Sequence, residues 1–186
     1  MKDAERAFTL GPTAHNAPVI NGVVQTAKTP RLADLGKVAD NTWKAAIELT
    51  DCYGSDSAVS YAGRTVWLYG NALVVVADEV GLPSPGTLTY HWHGHRDAAW
   101  WIENGWARIV LLNKVLWFRA SVPCVSAEGL VRLPGSRGPL TLISEIAEAP
   151  QVIWWVFSCS AQSPEVDWKA AETAISVNGR AFEIGA

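Results

Sequence analysis

Residues 64–95, RTVWLYGNALVVVADEVGLPSPGTLTYHWHGH, read as two or three β-strands in succession. Val66, Leu68 and the run 73–77 are rich in the apolar and β-branched side chains that favour a pleated backbone. Gly70-Asn71 interrupts the first two strands like a tight turn. Asp78-Glu79 is expected to close the second, and Leu82-Pro83-Ser84-Pro85-Gly86 is a loop built from breakers. The last strand, 87–92, alternates: Leu88, Tyr90 and Trp92 fall on one face, and Thr89, His91 and His93 on the other. A continuous apolar run such as 73–77 needs cover on both faces, so further strands must pack over it.

Upstream of this stretch, Val19-Ile20-Asn21-Gly22-Val23-Val24 sets Asn-Gly between apolar β-formers, the signal of a type I′ hairpin. Residues 26–41 are polar and mixed and read as loop or edge strand. Residues 43–49 fit helix or strand locally; strand is favoured because turn residues end the segment and strands follow. Residues 58–62 lead into the central stretch as a short strand. Downstream, 98–102 and 107–112 are strands about Glu103-Asn104-Gly105, and 115–120 follows a turn at Asn113-Lys114. Residues 125–139 are loop with a brief strand, and 140–146 and 152–158 are two more strands. Ser163-Pro164-Glu165 resembles a helix start, which admits one short helix over 166–173. Residues 174–184 alternate about Asn178-Gly179 and form the cleanest hairpin of all. Many short strands with regular turns predict an all-β chain: a two-sheet antiparallel β-sandwich with at most one short helix, in a single domain over 1–186.

Composition sets outer limits. With 49% hydrophobic residues in 186, the chain has enough apolar surface for a sizeable core. No stretch approaches the roughly 18–20 unbroken apolar residues of a membrane span. The charged start MKDAERAFTLG lacks a signal peptide's apolar region, so the chain as written is expected in the cytoplasm. A domain excised from a longer periplasmic or secreted protein reads the same way. The formal charge of −3 carries no nucleic-acid signature, and a polyanionic ligand would need a local basic patch. Cys52, Cys124 and Cys159 form no even framework and no CxxC pair, so free thiols are expected.

Four segments in order suggest a family: HNAPVINGVVQ from His15, ELTDCYG from Glu48, YAGRTVWLYGNALVVVADEV from Tyr61, and LTYHWHGH from Leu88. This order resembles the C-terminal β-sandwich region of heparinase II/III-like polysaccharide lyases. Such proteins show His-Asn, an apolar pair, Asn/Asp-Gly and a nearby Gln, then an Arg-containing strand, a strand ending in Asp and a strand ending near His. The similarity covers residues 13–95 by motif and the remainder as strand pattern. It implies an acidic polysaccharide or oligosaccharide as ligand, and His15 as the family's catalytic or metal-site histidine. It also implies a helical toroid, supplied before the sandwich or as a separate domain, that carries most of the cleft. A lyase removes the proton beside a uronate carboxylate and expels the glycosidic oxygen, which takes a base, an acid and a group that neutralises the carboxylate. One histidine supplies at most one of these, so no lyase activity is expected from this polypeptide alone.

Other residues offer competing sites. His91, His93 and His95 alternate along a strand, and such a set can ligate zinc. A small cupin-like metal enzyme is therefore an alternative, with Glu103 as a further ligand. The bland reading is a polar strand face of hydrogen-bonded histidines. Trp92, Trp100, Trp101 and Trp106 are denser than a core needs, and their indole faces can stack on sugars, pack internally or meet another copy. Arg64 is expected to form a structural ion pair with Asp78 or Glu79. Adjacent carboxylates on a strand point to opposite faces, so Asp78 and Glu79 cannot readily serve one catalytic site. A sandwich parted from its helical neighbour exposes surface, so a homo-oligomer, or a protein whose role is interaction, is also expected.

Overall fold

The computed structural model describes residues 16–26, 28–54, 58–82, 86–132 and 140–184. Its fifteen strands are β1 (Val19–Ile20), β2 (Arg31–Ala39), β3 (Thr42–Glu48), β4 (Tyr61–Tyr69), β5 (Leu73–Gly81), β6 (Leu88–His93), β7 (Ala99–Glu103), β8 (Trp106–Leu111), β9 (Lys114–Ala120), β10 (Leu130–Val131), β11 (Thr141–Ile146), β12 (Val152–Ser158), β13 (Val166–Asp167), β14 (Ala174–Val177) and β15 (Arg180–Glu183). Among the described residues the only helical elements are two 3-10 turns, Thr50–Cys52 and Ala127–Gly129. No helix among them is long and apolar enough to cross a membrane.

The sandwich consists of a four-stranded sheet, β1-β6-β11-β10, laid on an eight-stranded sheet, β2-β3-β4-β5-β12-β9-β8-β7. All strand pairs are antiparallel. Alternation decides what fills the gap between them. Leu88, Tyr90 and Trp92 of β6 face inward, as the sequence predicts, and meet Val76, Ile153, Trp155 and Phe118 of the larger sheet. Aromatic rings dominate this layer: Trp92 lies 4.6 Å from Trp155 and 5.2 Å from Phe157, centroid to centroid.

A third layer covers the other face of the large sheet. Strands β13-β14-β15 form a small sheet whose Ile175, Val177 and Phe182 pack on Trp67, Val75, Trp154 and Val156. The central strands β5 and β12 are therefore buried on both faces, which is why 73–77 and 152–156 are nearly continuous apolar runs. The admitted helix at 166–173 is instead a two-residue strand followed by tight turns, because Val166 pairs with Val177 and joins this layer. Asp78-Glu79 does not end β5, which continues to Gly81, because Asp78 is neutralised within the strand by its cross-strand partner Arg64.

Turn chemistry sets the registers. Asn21-Gly22, Asn104-Gly105 and Asn178-Gly179 all have positive φ at both positions, 51° and 75°, 51° and 75°, and 50° and 76°. These are type I′ turns, whose twist matches the flanking strands. The three cysteines are free: Cys52 is buried, Cys124 half-buried and Cys159 exposed. Burial pushes the Cys124 thiol up to about 12, so it stays protonated.

Candidate functional site

The four sequence segments that carry the resemblance meet at one corner, between the edge strand β1 and the large sheet. Arg64 on β4 is the hub. Its Nε and Nη2 donate to Asp78 Oδ1 and Oδ2 at 2.5 and 2.9 Å, a bidentate pair. Its Nη1 donates to the backbone oxygen of Asn16 at 2.8 Å. The Asn16 side-chain oxygen in turn accepts from the backbone N–H of His93 at 3.3 Å. Below it, Tyr53 donates to the Pro18 carbonyl at 2.7 Å and accepts from Gln25 Nε2 at 3.0 Å. The His-Asn segment is thus held at both ends by groups from ELTDCYG, from β4 and β5, and from β6.

The electrostatics follow from burial. Asp78 is 1% exposed and faces the Arg64 guanidinium, so each charge has its counter-charge in low dielectric. Burial pulls the Arg64 pKa down, but the Asp78 charge and hydrogen bonds outweigh that and leave it raised. Tyr53 and the fully buried Tyr90 are both pushed up, first by burial and then, among further causes, by the charge of Asp78. The corner is a polar frame whose two central charges, Arg64 and Asp78, face each other.

His15 lies outside the described residues, next to Asn16, which the frame holds. His91 and His93 share the outer face of β6. The His93 ring meets Thr141 Oγ1 at 2.9 Å through Nδ1. His91 is buried, and its pKa is lowered by burial first, then by His93, with Glu145 opposing. His95 lies past the end of β6, exposed, where its Nδ1 accepts from the Asp97 backbone at 3.2 Å. Among the described residues no three His, Cys, Asp or Glu side chains are placed to hold a metal ion. Glu103 sits at the far end of the β7–β8 hairpin.

The four predicted tryptophans do not form one surface. Trp92 lies in the core between the sheets, 7% exposed. Trp100 packs edge-on to Phe118, 6.0 Å away, on the same side. Trp101 and Trp106 point to the opposite face of the large sheet, where Arg108 lies 5.3 Å from the Trp101 ring and Arg119 lies 5.6 Å from the Trp106 ring. Sequence reasoning does not single out these arginines, and it assigns Trp117 to core packing with the other strand tryptophans. The signal was available, because the Asn104-Gly105 turn sets Trp101 opposite Arg108.

No family model matches the chain, and no curated protein matches it in sequence. Solved structures do match in fold. The chain superposes on a part of heparan sulfate lyase HepC from Pedobacter heparinus with a TM-score of 0.64 and 12% identity, covering 91% of this chain and 30% of the lyase. Against a structure of heparinase III the values are 0.66 and 13%, covering 96% and 30%. A heparinase III gene product gives 0.62 and 14%, covering 92% and 30%. The chain therefore has the fold of a heparinase III-like β-sandwich region. It spans about 30% of the length of the structures it matches.

Proposed function

We propose that this chain is the β-sandwich half of an acidic-polysaccharide site of the heparinase II/III type, and that the 186-residue polypeptide does not cleave polysaccharide by itself. The observation that supports this reading is the convergence of Asn16, Arg64, Asp78 and His93 at one corner, from three separate segments of the sequence. The Arg64 guanidinium is engaged by Asp78 and Asn16, so it orients the His-Asn segment and is not free to neutralise a substrate carboxylate. His15, which precedes Asn16 in the sequence, is the acid–base group in this reading. Elimination next to a uronate needs a second proton-transfer group and a cationic or amide clamp, and a helical domain, in the same chain or another, supplies them.

A surface suited to such a domain exists. Leu32, Leu35, Trp43 and Leu68 are 57, 64, 53 and 42% exposed. Cross-strand pairing places them on the face that the four-stranded sheet covers further along. In the polypeptide alone, a second copy covers this patch and gives a homo-oligomer.

The test uses the purified chain and defined uronate oligosaccharides. Titration is expected to shift the backbone amide signals of Asn16 and His93, with no rise in the ultraviolet absorbance of unsaturated products. Unsaturated product released by this chain alone, or an unmoved Asn16 signal, overturns the reading.

A further inference from the structure

Sheet geometry builds a second feature on the face away from the Asn16–Arg64 corner. The small third sheet covers β4, β5 and β12 there but not β7, β8 and β9. On those three strands the register sets Trp101 opposite Arg108 and Arg108 opposite Trp117. Side chains paired across neighbouring strands share a face, so the three form a row perpendicular to the strands. The Arg108 guanidinium lies between two indoles, 5.3 Å from the Trp101 ring and 5.6 Å from the Trp117 ring. Beside the row, Arg119 lies 5.6 Å from the Trp106 ring. Trp101 is 50% exposed.

Two physical points separate this row from ordinary surface packing. An arginine whose guanidinium carbon lies over two aromatic rings keeps N–H donors available, and the flanking rings reduce its side-chain freedom, so less entropy is lost when it binds a carboxylate or sulfate. Moreover, neither Arg108 nor Arg119 has an ion-pairing carboxylate among the described residues, whereas Arg31, Arg64 and Arg96 each do. Glu103, at the hairpin end on the same face, pairs with neither. In a chain of net charge −3 this is the local basic, aromatic patch that a polyanion needs.

We propose that the Trp101–Arg108–Trp117 row, extended by Arg119 on Trp106, is a docking strip for an acidic polysaccharide, separate from the Asn16–Arg64 corner. A sugar ring stacks on the exposed Trp101 indole, and uronate or sulfate groups take the arginine N–H donors. The row crosses two inter-strand spacings, about 10 Å, so it grips a short run of a long chain and tethers it. The strip does not depend on the reading of the corner, and its test is binding, not cleavage.

Affinity electrophoresis in gels containing heparan sulfate, with a neutral glucan as comparison, tests it. The full chain is expected to be retarded by heparan sulfate at low salt and not by the neutral polymer. Trp101→Ala and Arg108→Gln are each expected to weaken retardation about tenfold, the loss of one stacking contact and of one charge-assisted contact respectively. Arg108→Lys keeps the charge but loses the planar fork and is expected to recover little of it. Both positions are exposed, so unchanged thermal midpoints show that the variants are folded. No retardation of the wild-type chain, equal retardation by the neutral glucan, or retardation untouched by Trp101→Ala and Arg108→Gln overturns the proposal. The amide response of Asn16 to oligosaccharide is read separately, so the strip and the corner fail independently.

Discussion

Residues differ in what their charges contribute here, and burial decides it. Arg31–Glu48 is an ion pair whose side chains are 72 and 32% exposed, so water screens it and it contributes at most about 1 kcal/mol. Arg64–Asp78 has side chains 17 and 1% exposed, and losing one partner strands the other in low dielectric. Asp78→Ala is expected to cost about 3–5 kcal/mol, lowering the thermal midpoint by about 10 °C. Glu48→Ala is expected to lie within about 1 kcal/mol of wild type. Calorimetry of the two variants compares them directly, and equal effects would refute the hub role of Arg64. His91 gives the pH counterpart. Its folded pKa lies below the ordinary 6.5, so between the two values the unfolded chain holds a proton that the folded chain does not. Stability is therefore expected to fall as pH drops through 6.5, and to stop falling once the folded pKa is passed. Urea midpoints taken from about pH 7.5 to about pH 5 are expected to show this slope in wild type and a shallower one in His91→Gln.

At the scale of elements, period and turn chemistry were legible because they are local. The alternation of 88–93 reports which side chains share a face, and the Asn-Gly pairs report the turn type. The C-terminal hairpin was legible as a hairpin, but its place was not. Ile175, Val177 and Phe182 announce a buried face without naming what buries it, and only the assembled sheet shows Trp67 and Trp154 waiting there. The row on β7, β8 and β9 was half legible for the same reason. Trp101 and Trp106 were picked out, but Trp92 and Trp100 joined them by sequence proximity and face the core instead. The third layer makes a prediction of its own. Phe182 is 2% exposed and meets Trp67 edge-on at 6.1 Å, so Phe182→Ala is expected to cost about 3–5 kcal/mol. Denaturant unfolding followed by tryptophan fluorescence checks it; an unchanged midpoint would mean that the small sheet adds nothing to the fold.

The whole molecule is uneven in its cover. Eight strands present more face than the four-stranded and three-stranded sheets can hide, and the two uncovered ends differ in chemistry. The β2–β4 end is apolar, with Leu35 and Trp43 outward, and suits another protein surface. The β7–β9 end is aromatic and basic and suits a polyanion. Light scattering at micromolar concentration is expected to show a mass of at least twice the 20.1 kDa chain. Leu35→Lys with Trp43→Lys is expected to return it to monomer, because both side chains are solvent-facing and the new charges repel across a two-fold interface. A monomeric wild type would contradict the docking face.

The amino-acid order alone determined that this chain is all-β, where most of its strands and its Asn-Gly turns fall, and which segments to compare with uronate-cleaving proteins. The strands and turns are matters of side-chain period and backbone permission, which act over a few residues, and the comparison rests on motif resemblance. Only the tertiary structure decided that Asn16, Arg64, Asp78 and His93 share a corner, that a third sheet backs the second, and that Arg108 stands between two tryptophans. Each depends on strands distant in sequence, or in separate hairpins, lying side by side, and that order is chosen by the burial of the whole core.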